Sequence, residues 1–77
     1  MSEANKLFDE LGYKKIKENH DGWWTIIYNS DDLSIEFTSD KELIITNKNI
    51  NYENVILNMQ ELKAINKKCL ELGWIEE

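Results

Sequence analysis

The chain has 77 residues and a net charge of −6, with nine Lys, no Arg, no Pro and a single Cys. An apolar fraction of 42%, with three Trp, three Tyr and two Phe, is a folding composition and argues against a disordered chain. No apolar run reaches the roughly 18–20 residues of a membrane span, one thiol cannot form an internal disulfide, and without Arg no bidentate fork is available for phosphate or a guanine edge.

Such a length predicts one domain, 1–77, with a modest core. Met1-Ser2-Glu3-Ala4-Asn5-Lys6 shows no basic region followed by an apolar stretch, so no secretory leader is expected and the chain reads as soluble and cytoplasmic. The strongest local signal occurs twice. Glu10-Leu11-Gly12-Tyr13 and Glu71-Leu72-Gly73-Trp74 each set a glycine where a helix ends in a left-handed residue, followed by an aromatic that packs back on the last turn.

In chain order, Ser2 is the expected N-cap of a first helix, with Glu3 in its first turn and Ala4, Leu7, Phe8 and Leu11 as its apolar stripe. Tyr13 to Asn19 reads as a short, edge-like strand weakened by Lys14, Lys15 and Lys17, and His20-Asp21-Gly22 as a turn. Trp23 to Tyr28 is a dense β run, followed by a turn at Asn29-Ser30-Asp31-Asp32. Leu33, Ile35 and Phe37 then alternate with Ser34, Glu36 and Thr38, the cleanest period-2 pattern in the chain. A four-residue loop pairs Tyr28 with Leu33, Ile26 with Ile35 and Trp24 with Phe37, all on one face toward the helices. That leaves Trp23, Thr25 and Ile27 on the other face.

Past Asp40-Lys41 the chain returns through Leu43-Ile44-Ile45-Thr46, apolar on both faces, so its register stays open. Asn47 to Asn54 is polar and irregular, with Ile50 and Tyr52 as anchors, and Val55-Ile56-Leu57 suggests a short extended piece. Asn58 and Glu61 form a capping box for a second helix. Met59, Leu62, Ile65, Cys69 and Leu72 are expected to face inward, and Lys63, Lys67, Lys68 and Glu71 outward. The sum is a two-layer α+β domain: helix, antiparallel meander of three to four strands, helix.

No catalytic, cofactor-binding or metal-binding constellation emerges. His20 is the only histidine and lies in a turn with Asp21 as its sole nearby acid. Cys69 falls on an apolar stripe, where an inert thiol is the default. Asp31-Asp32 lacks the glycine and terminal Glu of a calcium loop, and no glycine-rich phosphate loop exists.

What remains is surface. Trp23, with Ile27 and one or two of Leu43, Ile44 and Ile45, would form an apolar patch on the face away from the helices, suited to a protein partner or a homodimer unless the 47–57 segment covers it. Residues 18–42 hold seven acids (Glu18, Asp21, Asp31, Asp32, Glu36, Asp40 and Glu42) against Lys41 alone, which accounts for the whole imbalance. These could face a basic partner, as in an acidic inhibitor of a host nucleic-acid-handling enzyme. Direct nucleic-acid binding is disfavoured, because the aromatics share the acidic segment; Lys14, Lys15 and Lys17 with Lys63, Lys67 and Lys68 would form at most a minor basic face.

The two ends, 4–13 and 59–74, resemble small uncharacterised proteins of phages and prophages in low-GC Gram-positive bacteria. The shared features are capping and core patterns over about a third of the chain. The resemblance implies an accessory phage protein and carries over no functional residues.

Overall fold

Both helices start and stop at the chain's own punctuation. In the computed structural model, which describes residues 2–49 and 54–76, Ser2 accepts a hydrogen bond from the Asn5 N–H and opens α1 (Glu3–Glu10). Gly12 stands at φ +89°, and the N–H groups of Tyr13 and Gly12 return to the carbonyls of Phe8 (2.9 Å) and Asp9 (3.0 Å). The second helix, α2 (Met59–Glu71), opens on the expected box: the Glu61 N–H donates to Asn58, and the Asn58 N–H to Glu61. It closes in the same way, with Gly73 at φ +74° and the Trp74 N–H on the Cys69 carbonyl at 2.9 Å. These paired bonds satisfy carbonyls that a helix end leaves open, and only a residue without Cβ takes that backbone shape at no cost. The closing aromatics differ in target. Tyr13 sets its edge on Phe8 of α1, whereas Trp74 reaches Phe37 of the sheet.

Between the helices runs an antiparallel meander in spatial order β1 (Lys14–His20), β2 (Trp23–Asn29), β3 (Leu33–Thr38), β4 (Leu43–Asn47). The α+β architecture is the one the sequence predicts, with four strands. The β2–β3 register is not. Tyr28 lies opposite Ile35 and Ile26 opposite Phe37, a shift of two residues from the expected pairing. The cause is Ser30: its N–H bonds the Leu33 carbonyl at 2.9 Å, and its hydroxyl accepts from the N–H groups of Asp32 and Leu33. These bonds tighten the turn to Asp31-Asp32. Because side chains alternate with period 2, a shift of two preserves the faces. Trp24, Ile26, Tyr28, Leu33, Ile35 and Phe37 all point toward the helices, as expected. In β4, Leu43 and Ile45 share that face, and Ile44 and Thr46 take the other. His20 and Asn29 belong to strands, while 55–58 forms none and only Leu57 of that stretch packs against the core. Ile50 and Tyr52 lie outside the described residues.

The helices meet the sheet through aromatic rings. Phe8 stacks on Tyr28 with centroids 3.9 Å apart and meets Phe37 at 6.4 Å; Ala4, Ala64 and Ile65 complete the buried layer. Here α2 departs from expectation. Met59 (63% exposed) and Leu62 lie outside, and the inward stripe runs through Ala64, Ile65 and Lys68, with Cys69 and Leu72 half-buried beside it. Lys68, expected outside, is only 6% exposed, its ammonium 5.9 Å from the Tyr28 ring centre. A lysine stem covers apolar surface as an aliphatic chain does, so a cation can occupy a core-facing position. Burial, with repulsion from Lys15 and Lys17, pushes its pKa down, against an opposing pull from Glu71.

Two acids pin the antiparallel helix pair. Glu61 caps α2 with one oxygen and accepts the Tyr13 hydroxyl with the other. Glu71, exposed as expected, also accepts the Ser2 hydroxyl and the Ala4 N–H (3.0 Å), with the Lys68 ammonium 3.9 Å away. Burial raises the Glu71 carboxyl, but the Ser2 and Ala4 hydrogen bonds and Lys68 outweigh it, and its pKa falls below the ordinary value.

Two outcomes follow. No atom lies within 4 Å of a Cβ added at Gly12, so Gly12→Ala should cost only the left-handed penalty, about 1–2 kcal/mol in urea unfolding; an unchanged midpoint would contradict the cap. A carboxylate with a depressed folded pKa stabilises fully above its unfolded pKa and loses that stability as pH falls through the folded one. Glu71→Gln should therefore cost about 1–3 kcal/mol at neutral pH, and its deficit against wild type should shrink as pH drops below about 4.3. A deficit independent of pH would contradict the ionised clasp.

Candidate interaction surface

The face away from the helices is set by strand register alone. Ile16, Ile27, Glu36 and Ile44 form one row across the four strands. Glu18, Thr25 and Thr38 form the next, and His20 lies opposite Trp23 beyond it. Trp23 is 48% exposed, Ile44 46% and Ile16 42%, with Ile27 half-buried among them. Thr25 and Thr38 are buried although they lie on this face.

Trp23 and Ile27 therefore share a face, but they are not neighbours. Four positions along the strand separate them by about 13 Å, with Thr25 between on the same face. The apolar surface has two parts: the isoleucine row, and an aromatic stack at one end. In that stack the rings of His20 and Trp23 lie 3.7 Å apart and 15° from parallel, and His20 Nε2 is 3.5 Å from the Glu18 carboxylate. Of the three β4 candidates, Ile44 joins this face; Leu43 and Ile45 do not. Ile16 is the contributor that sequence reasoning missed. Its signal was the isolated apolar residue within Lys14-Lys15-Ile16-Lys17, which marks the outward side of an otherwise basic strand.

The register divides the seven acids. Glu18 and Glu36 stand on the open face. Asp21, Asp40 and Glu42 cluster at the sheet end that carries Trp23, whereas Asp31 and Asp32 lie at the opposite end, where the Lys48 ammonium donates to the Ser30 carbonyl at 2.9 Å. The lysines divide too: Lys14 points to the open face, Lys15 and Lys17 stand on the helix side within repulsive reach of the buried Lys68, and Lys67 pairs with Glu3 at 2.9 Å. Among the described residues, the acids form no one continuous surface. Cys69 is half-buried, and burial pushes its thiol pKa up, away from the thiolate that a nucleophile needs.

Among the described residues, no helix is long and apolar enough to cross a membrane. No protein-family model, curated protein or solved structure matches the chain.

Replacing Lys68 removes a buried amine, and Glu71 keeps its Ser2 and Ala4 partners without it. Lys68→Met should leave the melting temperature equal or higher, since the thioether chain covers the Tyr28 ring as the lysine stem does. A large fall would mean that the Lys68 ammonium beside Glu71 stabilises the fold by more than its burial costs.

Proposed function

We propose that this protein is a small non-enzymatic interaction module that docks a protein partner on the open sheet face, through the isoleucine row and the Trp23 stack. The observation that carries this reading is the placement of both helices on one side of the sheet, with Trp23 and Ile44 about half exposed on the other. Half-exposed aromatics in an apolar setting are what interface hot spots are made of. An accessory role in a phage or prophage, implied by the capping and core patterns at the two ends of the chain, is part of this proposal.

The alternative is an acidic inhibitor of a nucleic-acid-handling enzyme. It draws on the same acid-rich segment, but the division of those acids between a face and two sheet ends favours the apolar reading. Salt separates the two, because exposed charges are screened and apolar burial is not.

Immobilised wild-type protein should retain its partner from host lysate through a moderate-salt wash. Trp23→Ala should lose that partner while changing stability by less than about 1 kcal/mol, and the pair Asp31→Asn/Asp32→Asn should keep it. Capture that survives Trp23→Ala but fails at moderate salt would sink this reading in favour of the acidic one.

A further inference from the structure

The two edges of the sheet are built differently. β1 carries Lys14, Lys15 and Lys17, charges of the kind that deter strands from pairing edge to edge. β4 reads Leu43-Ile44-Ile45-Thr46-Asn47, with no charge along it and β-favouring residues through most of its length.

The hydrogen bonds at its ends reveal which groups it leaves open. The Thr38 N–H donates to the Glu42 carbonyl at 3.0 Å, and the Lys48 N–H to the Asp32 carbonyl at 2.8 Å. Both bonds continue the β3–β4 register. In an antiparallel ladder, bonded and non-bonded pairs alternate. Ile44 and Thr46 therefore bond to β3, while Leu43 and Ile45 aim their N–H and C=O groups outward. Among the described residues, these outward groups have no partner. Leu43 and Ile44 are also exposed as side chains.

We infer that β4 pairs with β4 of a second copy of this chain, antiparallel and centred on Ile44. Leu43 then exchanges backbone hydrogen bonds with Ile45 of the second copy, and Ile45 with its Leu43, so the open groups satisfy one another. Ile44 packs against its own equivalent across the two-fold axis. The same alignment sets Asp40 of each copy opposite Lys48 of the other and Glu42 opposite Thr46, so no like charges face each other across the uncharged seam. A foreign strand could use the backbone groups, but the apolar match centred on Ile44 is a property of the chain against itself. The pairing yields one eight-stranded sheet with all helices on one side, and it joins the two isoleucine rows end to end. It does not rest on the open-face reading, because it uses the edge of the sheet.

Light scattering across a concentration series should find a dimer. Ile44→Lys, which sets two ammonium groups against each other, should weaken it by at least about tenfold and keep the wild-type circular dichroism. Trp23→Ala should leave the dimer intact. Facing residues of a non-bonded pair have Cα atoms about 4.5 Å apart, within reach of a disulfide. In a Cys69→Ser background, Ile44→Cys should therefore cross-link on oxidation, and Ile16→Cys on the opposite edge should not. A monomeric wild type, a dimer indifferent to Ile44→Lys, loss of the dimer in Trp23→Ala, or cross-linking through position 16 alone would each overturn the inference.

Discussion

The stacking of Phe8 on Tyr28 is the contact on which the rest of the structure depends. Tyr28 lies on a central strand, and its ring meets Phe8 from α1, Phe37 from β3 and the ammonium of Lys68 from α2. Through one ring the sheet is tied to both helices. The Tyr28 hydroxyl extends the tie by donating to Asn5, so the polar tip of a buried aromatic is satisfied by the helix that covers it. Stacked and edge-on rings contribute beyond the area they bury, which matters in a core this small.

Much of this was legible in the sequence because it is written locally. The Gly12 and Gly73 stops, the Ser2 cap and the Asn58–Glu61 box need only a few consecutive residues to be recognised, and each forms. Alternation in Leu33–Thr38 correctly assigned the faces of β2 and β3. Register was harder, because the side chains on either face would accept a shift of two; the Ser30 hydroxyl decides it, and one hydroxyl in a polar turn gives little warning.

The inward side of α2 was the clearest miss. Hydrophobicity correctly placed Ile65, Cys69 and Leu72 against the core but also pointed to Met59 and Leu62, which are exposed, whereas the helix turns Ala64 and Lys68 inward. Apolar counting treats lysine as a surface residue, yet four methylenes can lie across a ring. Small Ala64 was the available clue, since it lets the helix approach closely. The candidate surface was half legible for related reasons. Trp23 and Ile27 could be assigned a face from alternation, but their separation, and the membership of Ile16 and Ile44, required pairing across four strands. The division of the acids between opposite ends of the sheet is likewise a property of the meander rather than of any segment.

The Ser2–Glu71 clasp also bears on the order in which the molecule comes apart. Strand neighbours in the meander are joined by turns of a few residues, so each hairpin closes at small entropic cost. The clasp joins groups 69 positions apart and carries the penalty of a long loop. Its helix, α1, has only eight residues, too few to persist without the surface it covers. Any partial opening of this protein therefore begins with α1 lifting away from an intact meander. What that opening bares is an aromatic surface of Tyr28 and Phe37, so a molecule that keeps an apolar face open when folded acquires a second one whenever its first helix detaches.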